Sequence, residues 1–126
     1  MFENFEIFQM SQAMARHAAN WQGAISRNIA HADTPGYRAV EARPFAEVYE
    51  TPPNTAMRAE RPGHVAAAES LGPALRTAPA DMLSPNGNSV SVEREMTHAA
   101  SARHQHDMAL SIYRSATGIW RTGLGR

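Results

Sequence analysis

A chain of 126 residues has room for one domain, and it buries a core only if most of its length folds. Twelve basic and twelve acidic residues cancel, so no net field draws nucleic acid or an acidic substrate. The absence of Cys excludes disulfides, thiol chemistry and Cys-ligated zinc or iron–sulfur sites, and leaves the redox compartment open. No stretch approaches the ~20 apolar residues of a membrane span.

The chain opens Met1-Phe2-Glu3-Asn4-Phe5-Glu6, which is acidic and lacks the basic start of a signal peptide. Export, if it occurs, is expected by a route without a cleaved signal. From Phe5 to Ala30, apolar residues step by three and four: Ile7, Met10, Met14, His17 or Ala18, Trp21, Ile25 and Asn28 or Ile29. That spacing predicts one long helix with a near-heptad seam. A helix of about 24 residues spans ~36 Å and needs a partner along its length. Phe2, Phe5 and Phe8 precede the seam. They read equally as a helix start in its own core or as an apolar anchor for a partner.

The helix is expected to end between Ala30 and Ala32. Pro35 disfavours helical geometry at Thr34. Pro35-Gly36 suits the centre of a type II turn, in which Gly supplies the positive φ. All the other prolines fall between 44 and 88. The segment reads as an extended connector, partly disordered in the free chain, with a short strand near 45–49 or a helical turn near 64–71. A connector of roughly forty residues is unusual inside a compact domain and suits a chain that wraps along neighbours.

A second helix is predicted after Ser84-Pro85-Asn86-Gly87-Asn88, with Ser89 or Ser91 as N-cap. Glu93 and Glu95 in its first turn, and Arg114 and Arg121 near its end, complement the helix dipole. Its seam runs through Val92, Met96, Ala99, Arg103, His106, Leu110, Tyr113, Thr117 and Trp120. Read one position earlier in places, Ala102, Ala109 and Ala116 replace the polar members.

The expected fold is therefore all-α: two long terminal helices packed as an antiparallel, coiled-coil-like hairpin, joined by the Pro-rich connector. Its divisions are 1–32, 33–88 and 89–126. Ile7, Met10, Met14, Trp21 and Ile25 are expected to face Met96, Leu110, Tyr113 and Trp120. His98 and His106 could share a helix face, but no HExxH or well-placed carboxylate accompanies them, so no metal site is expected. Asp107, His104 and the serines lack a nucleophile elbow, so no hydrolytic site is expected. The Pro85–Asn88 turn lacks the lysine and spacing of a phosphate loop. Arg94, Arg103 and Arg114 read as a solvated or intersubunit face. No cofactor or small-molecule substrate is implied.

The decapeptide Asn28 to Tyr37, NIAHADTPGY, resembles the motif that ends the N-terminal helix of the bacterial flagellar axial proteins. Asn28, Ile29, Ala30, Thr34, Pro35, Gly36 and Tyr37 match it, and Asp33 with the following Arg38 and Phe45 looks most like the proximal-rod subunit, the FlgB type. The second block, Ser84 to Val90 with Val92-Glu93-Arg94-Glu95-Met96, is similar to that subunit's lead into its C-terminal helix. Asn86, Gly87, Asn88, Glu93 and Met96 carry this likeness. His31, Ala102, His106, Asp107 and Met108 depart from the family pattern. The resemblance implies a structural subunit of the proximal rod in the periplasm. It would link the membrane ring and export gate to the distal rod, transmit torque, and cross the type III export channel unfolded. Implied partners are other rod subunits, the rod adaptor at the base, the export-gate proteins and the membrane-ring protein. A soluble secretion-linked adaptor or chaperone is the alternative from another class.

Overall fold

In the computed structural model the described residues are 2–50, 75–77 and 83–125, with side chains described from Glu6 onward except at Glu50. Among these residues five elements follow in order: α1 (Phe2–Ala30), β1 (Val40–Ala42), α2 (Phe45–Glu50), β2 (Leu75–Thr77) and α3 (Val92–Gly123). The helical turn expected near 64–71 and the side chains of Phe2 and Phe5 lie outside the described residues.

The two long helices pack antiparallel. Near the start of α1, Phe8 meets Tyr113 edge-on at 5.4 Å and Trp120 at 6.1 Å between ring centroids. Near its end, Trp21 meets His98 at 5.9 Å. Buried positions recur at intervals of seven on both helices: Ser11, Ala18 and Ile25 on α1, flanked by the equally buried His17, Ala24 and Asn28, and Glu95, Ala102 and Ala109 on α3. The line on α3 is thus one residue earlier than the predicted Met96, Arg103 and Leu110, and follows the alternative reading through Ala102 and Ala109. Met96 is 64% exposed. One position is a rotation of ~100° about the helix axis. The physical reason is that alanines at 102 and 109 let the backbones approach, which a Met–Arg–Leu line would prevent. Of the other predicted seam residues, Ile25 is buried, and Met10, Met14, Trp21 and Leu110 are half-buried. Ile7, Tyr113 and Trp120 are more open.

The all-α expectation is corrected by a small antiparallel sheet. β1 pairs with β2 in the register Val40–Thr77, Glu41–Arg76 and Ala42–Leu75. Arg76 and Glu41 add an ion pair at 3.8 Å. The strand expected near 45–49 is instead α2. Pro44 sits before it, and the Val48 amide donates to the Pro44 carbonyl at 3.2 Å. Phe45, Val48 and Tyr49 then fall at one, four and five, a helical face. Val48 is buried, and the Phe45 ring lies 5.6 Å from His17 on α1.

Residues 38–50 run back along α1, and buried polar groups on α1 hold them. His17 donates from Nε2 to the Arg43 carbonyl at 2.8 Å. α3 begins at Ser91, whose Oγ accepts from the Arg94 amide at 3.5 Å. Ser91 rather than Ser89 is therefore the cap.

Candidate functional site

The two sequence motifs, separated by fifty residues, meet at the C-terminal end of α1 and form one hydrogen-bonded clasp. Each half is shaped locally first. Thr34-Pro35-Gly36-Tyr37 closes as a turn, with the Tyr37 amide on the Thr34 carbonyl at 3.3 Å and Gly36 at φ +73°. An L side chain there is disfavoured, as the Pro-Gly pair predicts. Opposite it, Ser84 to Asn88 forms a hairpin-like loop. The Gly87 amide donates to the Ser84 carbonyl at 2.8 Å, and the Ser84 amide to the Asn88 carbonyl at 2.7 Å. Gly87 has φ +78°. Within this loop the Asn88 amide donates to Asn86 Oδ1 at 3.0 Å.

The halves then join. The Gly36 amide donates to the Asn86 carbonyl at 3.1 Å, and the Ser89 amide to the Tyr37 carbonyl at 3.1 Å. The Ala39 amide donates to Ser89 Oγ at 2.8 Å. A Cβ on Gly87 would stand 3.4 Å from the Gly36 Cα, so the two turns pass within one methyl group of each other.

Two buried asparagines carry most of the order. Asn88 is 2% exposed. Its Nδ2 donates to the carbonyls of His31 at 2.9 Å, Ala32 at 2.8 Å and Thr34 at 2.8 Å. These carbonyls belong to the turn that follows α1, where those of His31 and Thr34 also accept the Thr34 and Tyr37 amides at 3.0 and 3.3 Å. The amide also meets the negative end of the α1 dipole. Its Oδ1 accepts from the Val90 amide at 2.7 Å. Asn28 acts as an artificial strand edge. Its Oδ1 accepts from the Val40 amide and its Nδ2 donates to the Val40 carbonyl, each at 2.9 Å. That pairing starts β1. The Tyr37 hydroxyl reaches Asn28 Oδ1 at 3.4 Å. His31 stacks on Tyr37, with ring centroids 4.6 Å apart and planes at 9°, and donates from Nδ1 to the Arg27 carbonyl at 2.8 Å.

The motif residues therefore divide in two. Asn28, Tyr37 and Asn88 face inward, with Gly36 and Gly87 as the contact point between the two turns. Ile29, Ala30, Asp33, Thr34, Pro35, Asn86, Glu93 and Met96 face solvent. Sequence reasoning missed the buried Ser11, placed His17 only as a seam position, and did not foresee that the Ser89 hydroxyl joins the halves or that Glu95 is buried. Ser89 carried a signal only as a helix cap, and Glu95 only as a first-turn acid. Glu95 Oε2 and His17 Nδ1 have no hydrogen-bond partner among the described residues.

An open groove of about 690 Å³ lies between α1 and α3, lined by Ala18, Ala19, Gln22, Ala102, Arg103 and Asp107 among others. Exposed apolar side chains collect at the end of α3, with Ile119 71% exposed, Trp120 half open and Leu124, just past the helix, nearly as open as Ile119. No group of three or more His, Asp or Glu side chains among the described residues could hold a metal ion. No helix among them is long and apolar enough to cross a membrane.

No protein-family model matches the chain. It is similar to the flagellar basal body rod protein FlgB of Agrobacterium fabrum (strain C58), with 28% identity over 115 residues covering 87% of this chain and 86% of that protein.

Proposed function

We propose that this chain is a structural subunit of the bacterial flagellar basal-body rod, of the proximal-rod type. The observation that carries the reading is the similarity to FlgB along nearly the whole of both chains. The geometry supports it from a separate direction. An antiparallel helix pair is stiff along its axis, and the clasp ties the connector to the end of α1, so a load on one helix passes directly to the other. The exposed motif residues Ile29, Asp33, Thr34 and Pro35, and the apolar end of α3, remain for contact with neighbouring subunits.

On this reading the protein acts by packing and has no catalytic role. Its place is the periplasmic rod, reached through the flagellar export channel without a cleaved signal. Its partners are other rod subunits, the rod adaptor, the export gate and the membrane-ring protein, and it carries torque between the ring and the distal rod. The test is the fate of the tagged protein in detergent-extracted basal bodies. Retention with the rod and ring fraction is expected. Recovery only in the soluble fraction of flagellated cells would sink the assignment.

A further inference from the structure

The clasp contains the dipeptide Asn86-Gly87, and Asn86 is exposed to water. We propose that Asn86 is a site of spontaneous deamidation that the closed clasp holds silent and the open chain releases. The inference does not depend on the rod assignment.

The chemistry needs no enzyme. The Gly87 backbone nitrogen gives up its proton and bonds to Asn86 Cγ. The Cγ–Nδ2 bond breaks, and the side-chain nitrogen takes up a proton and leaves as ammonia. Water then opens the five-membered succinimide at either carbonyl, giving Asp or an isoaspartyl link. Glycine on the C-terminal side favours the attack because no side chain blocks the nitrogen and the backbone bends freely.

In the folded chain both reacting groups are held. The nucleophile's N–H is committed to the Ser84 carbonyl at 2.8 Å. The electrophile's Oδ1 is committed to the Asn88 amide at 3.0 Å, and the Asn86 carbonyl takes the Gly36 amide at 3.1 Å. Protection is therefore conformational rather than steric, since the side chain itself is open to solvent. The neighbouring Asn88-Ser89 pair is locked more fully. Asn88 is buried with its amide on three carbonyls, and the Ser89 amide is spent on Tyr37.

The isoaspartyl product could not close the clasp again. An isoaspartyl link adds one carbon to the main chain between Ser84 and Asn88, a loop closed by bonds of 2.7 and 2.8 Å. It also converts the Asn86 side-chain carbonyl, the acceptor for Asn88, into backbone. A chain kept open thus accumulates isoaspartyl copies that cannot fold correctly, and folding slows the clock.

The test follows the full chain in one neutral buffer at one temperature, with and without denaturing urea. Deamidation and isoaspartate are read by mass spectrometry on the tryptic peptide that follows Arg76. The native chain is expected to react at least ~10-fold slower, the factor that a local opening free energy of ~1.4 kcal/mol imposes. Equal rates would overturn the proposal. Protein aged in urea and then refolded is expected to melt at a lower temperature than a fresh refolded sample. An unchanged midpoint in a sample rich in isoaspartate at Asn86 would overturn the one-way closure.

Discussion

Replacing Asn88 separates the clasp from every other contribution to this fold, because its side chain makes four bonds and none runs to the helix seam. The two hydrogens of its amide serve three carbonyl oxygens at 2.8–2.9 Å. At least one bond is therefore shared. Asn88→Ala removes these donors and the acceptor for the Val90 amide. Water can reach part of the site, since His31 and Thr34 are exposed residues. The loss should then fall near two or three net hydrogen bonds, about 2–3 kcal/mol. Asn88→Asp keeps the acceptor for Val90 but turns a carboxylate toward three carbonyls and the negative end of α1. It should cost at least ~1 kcal/mol more than Ala at neutral pH. Urea unfolding followed by circular dichroism gives both differences from the shift in midpoint at constant slope. The ordering wild type, then Ala, then Asp is the signature of a donor-only role. An Asp variant as stable as wild type, or an Ala variant within ~0.5 kcal/mol of it, would refute the reasoning.

Further substitutions separate the remaining features. Asn28→Leu leaves the Val40 amide and carbonyl without their side-chain partner and should destabilise by about 2–4 kcal/mol, with loss of amide-exchange protection at Val40. Gly36→Val meets no neighbour within 4 Å at its Cβ. Its cost is therefore the positive φ alone, ~1–2 kcal/mol, and rod assembly in that variant should be impaired. Gly87→Val should be worse than Gly36→Val in the same melting assay, because it meets the same positive-φ cost and its Cβ already stands against the Gly36 backbone, leaving less room for the branched side chain; equal losses would count against the close approach. Ile25→Ala, at a site 1% exposed, should cost about 2–5 kcal/mol, while Met96→Ala should stay within ~0.5 kcal/mol; the reverse order would restore the seam through Met96.

Elements whose causes are local can be read directly from the residues. Steps of three and four along residues 5–30 and 92–120 specify helices, because only a 3.6-residue period puts those side chains on one face. Pro35-Gly36 specifies the turn, because the φ of one residue is fixed and that of the other is free. The tertiary structure decided everything that depends on a distant partner. Either of two adjacent lines on α3 could face α1, and apolar spacing alone does not choose between Met96–Arg103–Leu110 and Glu95–Ala102–Ala109. Close backbone approach favours the alanines, and that becomes visible only with the second helix in place. The strands at 40–42 and 75–77 are too short to carry a period; they exist by pairing with each other, with Asn28 holding the Val40 backbone. The NIAHADTPGY and SPNGNS blocks were legible as motifs but not as one site. The carbonyls that Asn88 satisfies lie more than fifty residues away, and a hydrogen bond between residues so far apart leaves no periodicity in the chain.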